Sequence, residues 1–67
     1  MNIAKRIAAL KREIRYRETE IERIAALRAA KEPTIAALPE RVDMYLADIR
    51  AGIELRTNEI RELEQHQ

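Results

Sequence analysis

This 67-residue chain has abundant carboxylates, with twelve Asp and Glu, but few of the other side chains that serve as nucleophiles or metal ligands. Cysteine and serine are absent, so neither a thiol nor a serine hydroxyl is available as a nucleophile. The single glycine, Gly52, excludes a glycine-rich phosphate-binding loop. The one histidine, His66, stands four residues after Glu62, and a single pair near a chain end makes a poor metal site. We therefore expect no enzymatic activity, no metal and no cofactor.

Four basic side chains between residues 5 and 23 fall at helical spacing and could contact the phosphates of a nucleic acid. They are Lys5, Arg12, Arg15 and Arg23, and Tyr16 lies among them. Glutamates of the second half of the chain would weaken the positive field of this face, and two tyrosines offer little stacking for bases. The same glutamates, and the absence of Trp and Phe, argue against binding to a membrane surface. Nucleic-acid binding is the alternative function, and a solvated basic face is the simpler interpretation.

The elements that must position these side chains are long helices, because charged residues make up 37% of the chain and aromatic residues only 3%. Apolar residues recur in both halves at alternating intervals of four and three, which is the heptad pattern of a coiled coil. In the first half they are Ile3, Ile7, Leu10, Ile14, Ile21 and Ile24. In the second half they are Val42, Leu46, Ile49, Ile53, Ile60 and Leu63. Arginine fills the one gap in each stripe, at positions 17 and 56.

Two prolines separate the stripes. Pro33 has no backbone N–H and disfavours helical geometry at Glu32, so the first helix should end just before it. Pro39 suits the first turn of a new helix. The predicted segments are helix 1 at about 2–31, a turn at 32–38 and helix 2 at about 39–65. A single helical turn within 32–38 could cap the tip.

A short connection between two long helices indicates that they pack antiparallel. When paired residue numbers sum to 70, every layer of the seam brings an a position opposite a d position, as antiparallel coiled coils do. The layers are 7/63, 10/60, 14/56, 17/53, 21/49, 24/46 and 28/42. The sequence thus predicts one all-α domain over residues 1–67, an antiparallel two-helix coiled-coil hairpin. The rival is a parallel dimer of continuous helices, against which both prolines argue.

A polar patch interrupts the seam, because Arg17 and Arg56 occupy core positions in adjacent layers. Glutamates stand around them on one side. The predicted patch consists of Arg17, Arg56, Glu13, Glu20, Glu59 and Gly52. Glu13 and Glu59 should face each other and repel unless an arginine lies between them. One interpretation is an ion network that fixes the register of the helices. The other is a functional patch where Gly52 lets a partner or a second protomer approach the backbone.

A second apolar row lies on helix 2 outside the seam, at spacings of three and four residues. It consists of Met44, Ala47, Ala51 and Leu55. In a lone hairpin these side chains would face solvent, and an aligned apolar row on a small domain indicates an interface. The alanines would permit close approach of another helix. We predict a homodimer that forms a four-helix bundle through this row, with a helix of a different protein as the alternative occupant.

The size and charge of the chain also favour a partner. Sixty-seven residues bury little core, and with no cysteine for a disulfide the remaining support is oligomerisation or a bound protein. Residues 1–31 hold nine Lys/Arg against four Glu, a net charge of +5, whereas residues 32–67 carry −4. No apolar run approaches the roughly 20 residues of a membrane span. We expect a soluble, cytoplasmic, regulatory protein-binding module, such as an adaptor, an assembly factor or an inhibitor of a larger machine.

Overall fold

The computed structural model describes residues 2–66, and these form three helices in sequence. They are α1 (Ile3–Ala29), α2 (Pro33–Ala37) and α3 (Pro39–Glu64). The prediction of an all-helical chain whose two long helices pack against each other is confirmed, and residues 2–66 contain no strand. Met1 and Gln67, which the predicted domain includes, lie outside the described residues.

The first long helix ends two residues earlier than predicted. Helix α1 stops at Ala29 because Lys31 adopts left-handed backbone geometry, with φ of 56°. The Lys31 amide donates to the carbonyl of Arg28 at 3.1 Å, and the Glu32 amide donates to that of Leu27 at 3.0 Å. This pair of bonds is the Schellman motif, which satisfies the last carbonyls of a helix and normally has glycine at the left-handed position. Lysine accepts that geometry at a cost of about 1–2 kcal/mol.

The tip of the hairpin is a short helix between two prolines. The Glu32 side chain caps α2 by accepting a hydrogen bond from the Ile35 amide at 2.9 Å, and Pro33 follows at the first helical position. Hydrogen bonds from the Ile35 and Thr34 amides lower the pKa of Glu32, because they stabilise its charged form. Pro39 begins α3, as its missing N–H and fixed φ favour. Glu32, Pro33 and Pro39 thus reverse the direction of the chain, so that α3 runs back along α1.

The contacts between α1 and α3 show that the two helices are antiparallel. Arg6, near the start of α1, pairs with Glu59 near the end of α3. Arg28, at the other end of α1, pairs with Asp43 near the start of α3, at 2.7 Å. The two helices therefore form a hairpin with overall extents of 47 × 16 × 15 Å.

The hydrophobic core is divided into two separate clusters along the seam. The terminal cluster consists of Ile7, Leu10 and Ile60, with Ile3, Ile14 and Leu63 packed against it. The tip cluster consists of Ile24, Val42 and Leu46, with Ile21, Ile35 and Ile49 packed against it. Leu10 and Ile24 are the most deeply buried side chains, at 1% and 2% exposure. Both clusters follow the predicted layers, and the two layers that contain Arg17 and Arg56 separate them.

Candidate binding faces

The arginine layers between the two clusters are built around the backbone of Gly52. Arg17 donates from Nη1 to the carbonyl of Glu13, and Arg56 donates from Nη1 to the carbonyl of Gly52, at 3.1 and 3.0 Å. A Cβ on Gly52 would lie 3.2 Å from Nε of Arg17 and 3.3 Å from Nη1 of Arg56. The two guanidinium groups therefore share the space that a side chain at position 52 would fill.

The glutamates of the predicted patch are divided among three arginines. Glu13 Oε1 lies 3.6 Å from Nε of Arg56. Glu59 binds Arg6 instead, with 3.0 Å between Oε2 and Nε. Glu13 and Glu59 thus each have an arginine, which removes the repulsion expected between them. Glu59 raises the pKa of Arg6, first through the hydrogen bond and then through its charge.

Glu20 is directed away from the arginine layers. It forms an ion pair with Arg23, one turn further along α1, and the Tyr45 hydroxyl lies 3.5 Å from its Oε2. Of the six residues of the predicted patch, the structure brings Arg17, Arg56, Gly52 and Glu13 together. Glu59 and Glu20 lie on the same side of the seam but pair elsewhere.

One nitrogen in the arginine layers lacks a hydrogen-bond acceptor. Nε of Arg56 is buried and has none among the described residues, and Glu13 at 3.6 Å is too distant for a hydrogen bond. A buried donor without an acceptor costs about 1–3 kcal/mol. The arginine layers therefore do not contribute to stability as an apolar layer would.

Gly52 gives a direct test of how tightly the arginines pack. Gly52→Ala should raise the free energy of unfolding by up to about 1 kcal/mol, because alanine favours the helix and the two arginine ends can shift by a few tenths of an ångström. Urea denaturation followed by circular dichroism measures the change. Ala51→Gly, on the exposed neighbouring position, is the matched control; at a concentration where the chain is monomeric it should lower stability by about 1 kcal/mol. A large loss in Gly52→Ala would show that the arginines cannot move.

The outer face of α3 carries the predicted apolar row, and all four of its side chains are exposed to solvent. Met44 and Leu55 are each 68% exposed, and Ala47 and Ala51 between them are also exposed. At about 100° per residue these four side chains share the side of α3 opposite the seam. No side chain among residues 2–66 covers them.

A groove beside the seam, at the tip half of the hairpin, was not predicted from the sequence. It consists of two adjoining depressions of about 220 and 200 Å³ that share Tyr45. The first is lined by Arg23, Ile24, Thr34, Ile35, Leu38, Arg41, Val42 and Tyr45. The second is lined by Tyr16, Arg17, Glu20, Tyr45 and Ile49. We call the pair the tip groove. Leu38 and Tyr45, one heptad apart next to a core position, were the sequence signal that could have revealed it.

The basic face of α1 is exposed, as its positions in the helix require. Lys5, Arg12 and Arg15 form no ion pair with any described residue, whereas Arg23 binds Glu20. Among the glutamates of the second half, Glu59 forms its ion pair with Arg6 rather than with Lys5, Arg12 or Arg15.

Comparisons with known proteins add no relative. Neither protein-family models, nor curated proteins, nor solved structures gave a significant match to this chain. Within residues 2–66, none of the helices combines the length and the apolarity that crossing a membrane would require. The faces described above are therefore the basis for any functional proposal.

Proposed function

We propose that this chain is a non-enzymatic protein-binding module that acts through the outer face of α3. The observation that carries the proposal is the exposed row of Met44, Ala47, Ala51 and Leu55, whose two large side chains are each 68% exposed. Apolar side chains aligned on one face of a small domain are typical of a surface that is buried in a complex. The alanines between them permit another helix to approach closely.

The small size of the hydrophobic core supports the proposal that this chain binds a partner. Among the described residues only six apolar side chains are buried, in two clusters along one seam. Domains of this size usually need further support beyond such a core, and this chain has no cysteine to supply a disulfide. Burial of the α3 outer face would provide that support. A homodimer that packs as a four-helix bundle is the form we propose first.

As a regulatory protein, this module would act through a rigid binding surface. Two long helices joined by a capped tip hold the α3 outer face in a fixed shape, so binding would occlude or scaffold a partner without chemistry. Where a partner extends beyond the α3 outer face, Arg17, Arg56 and the basic face of α1 would add electrostatic selectivity. An adaptor, an assembly factor and an inhibitor of a larger machine all fit this mechanism.

The double variant Met44→Glu/Leu55→Glu tests the proposal. Light scattering should give the wild type about twice the 7.8 kDa chain mass, and the variant the mass of one chain, because carboxylates would be desolvated in the interface. Both changes are at exposed positions, so helicity should persist. Arg50→Gln/Arg61→Gln also lowers the net charge by two on α3, but away from the outer face, and should remain dimeric.

A different protein as partner gives a distinct result. The wild type would then be a monomer, and affinity capture with wild-type bait would retain a protein that the Met44→Glu/Leu55→Glu bait loses. If the wild type and the Met44→Glu/Leu55→Glu variant have the same mass and capture the same proteins, the outer face of α3 is not a binding surface.

Nucleic-acid binding is the second candidate, because Lys5, Arg12 and Arg15 are exposed and have no carboxylate partner among residues 2–66. If these side chains contact phosphates, binding should weaken steeply with salt, and each change to glutamine should reduce the salt slope by about 1. A filter-binding titration with duplex DNA and single-stranded RNA at low salt measures this. Absence of binding there would remove this candidate.

A further inference from the structure

We propose that the tip groove is the surface that receives the outer face of α3, and that the occupant is a second copy of this chain. The inference rests on the proposed function, since it names the partner of the α3 outer face and the residues that bind it. It depends on the shape and side chains of the groove and on the charges of the two surfaces.

The tip groove has the composition of an interface centre. Its walls are mainly apolar, and three of its side chains are large, apolar and exposed: Tyr16 at 76%, Tyr45 at 49% and Leu38 at 45%. Tyr45 extends from α3 towards Glu20 on α1, so it stands between the two depressions. Tyrosine and arginine are the residues that most often anchor protein interfaces. A helix laid along the groove would cover all three.

The edges of the groove are positively charged. Arg17, Arg23 and Arg41 line it, and its one carboxylate, Glu20, is already bound to Arg23. Arg41 and Arg17 have no carboxylate partner among the described residues. The groove therefore suits an apolar helix face that carries carboxylates and no cations.

The outer face of α3 is such a surface. Four exposed carboxylates lie within about 65° of the middle of the apolar row, at about 100° per residue, and the arginines of α3 lie farther around the helix. The four are Glu40, Asp48, Glu54 and Glu62, and none of them forms an ion pair with a described residue. The second copy thus supplies both the apolar side chains and the charges that the groove lacks.

The same carboxylates disfavour direct packing of two outer faces on each other. Such a dimer would gather four carboxylates from each copy around one apolar strip, where like charges repel. Docking in the groove instead places those carboxylates near Arg17, Arg23 and Arg41. Charge therefore selects the groove over a second α3 outer face.

Mixing two full-length variants tests the proposal. The groove variant is Arg41→Glu/Tyr45→Ala, and the outer-face variant is Met44→Glu/Leu55→Glu. Each alone should dimerise at least tenfold more weakly than the wild type. When mixed, they should form a heterodimer in native mass spectrometry, because one copy keeps an intact groove and the other an intact outer face. Arg50→Glu, which makes the same charge change as Arg41→Glu on another side of α3, is the matched control and should dimerise normally.

Several results would overturn the proposal. If the groove variant dimerises like the wild type while the outer-face variant does not, two outer faces pack on each other, and the proposed function survives. If the wild type is monomeric up to about 1 mM, a second copy is not the occupant, although a different protein could still bind α3. If both variants are dimeric, both proposals fail. Circular dichroism melts of each variant confirm that it is folded, and raising salt from about 0.05 to about 0.5 M should weaken a charge-dependent dimer.

Discussion

Replacing Leu10 with alanine should remove most of the stability of the hairpin at room temperature. Leu10 is 1% exposed and lies at the centre of the terminal cluster. Leucine-to-alanine changes at such sites cost about 2–5 kcal/mol, because the loss of burial is followed by a cavity that the surroundings fill only in part. A chain of this size seldom has more than about 3–5 kcal/mol of stability in total. The single change Leu10→Ala should therefore remove most of the free energy of unfolding.

Chemical denaturation of Leu10→Ala, followed by circular dichroism, measures this loss. The matched control is Leu55→Ala, the same substitution at a side chain that is 68% exposed, examined at a concentration where the chain is monomeric. Stability depends on concentration if the chain dimerises, so both variants must be compared at the same low concentration. The control should change the free energy of unfolding by less than about 0.5 kcal/mol. A similarly small effect of Leu10→Ala would contradict the terminal cluster described here.

The two helices and their alignment could be predicted because heptad spacing and helix direction together leave few choices. Apolar residues at intervals of four and three place one stripe on each helix, and two prolines mark where the chain must turn back. Once the helices are antiparallel, the registers that bury both stripes differ by whole heptads, and the short connection between the helices selects one of them. The terminal and tip clusters follow the predicted layers for this reason.

The end of α1 was harder to predict because its stop signal is in the backbone. The usual marker of a Schellman motif is glycine, and here Lys31 occupies the left-handed position instead. Pro33 restricts only the residue before it, which placed the predicted end two residues late. A side chain that accepts unfavourable backbone geometry gives no pattern in the sequence.

The tip groove was missed for a different reason. A heptad pattern divides residues into a buried seam and an exposed remainder, and Tyr45 and Leu38, at 49% and 45% exposure, belong to the remainder. They lie beside the seam, and α2 completes the first depression of the groove with Thr34 and with Ile35, which packs against the tip cluster. The position of α2 depends on the path of the chain between the prolines. The ion-pair partners of Glu20 and Glu59 could not be predicted either, because they depend on side-chain rotamers, which residue spacing does not determine.

Replacing both core arginines by methionine should stabilise the hairpin. Arg17 and Arg56 separate the two clusters, and Nε of Arg56 is buried without a hydrogen-bond acceptor. Replacement of buried ion pairs by apolar residues of similar volume is often neutral or stabilising by about 1–4 kcal/mol, because the cost of removing the charge from water disappears. Arg17 and Arg56 are only partly buried, so the gain should lie at the lower end of that range. Methionine is unbranched and flexible, so it can follow the path over Gly52 that the arginine stems take. Arg17→Met/Arg56→Met should thus join the two clusters into one core.

The measurement is the free energy of unfolding from urea denaturation, compared with Lys11→Met/Arg50→Met. That control removes the same two charges, one from each long helix, at exposed positions without ion pairs, and should leave stability within about 0.5 kcal/mol of the wild type. A destabilised Arg17→Met/Arg56→Met variant would show that the arginines hold the hairpin together through Glu13 and their carbonyl contacts. A stabilised variant would instead show that the chain retains two charges at a cost in stability. A simultaneous loss of dimerisation would then identify binding as the reason, since Arg17 lines the tip groove.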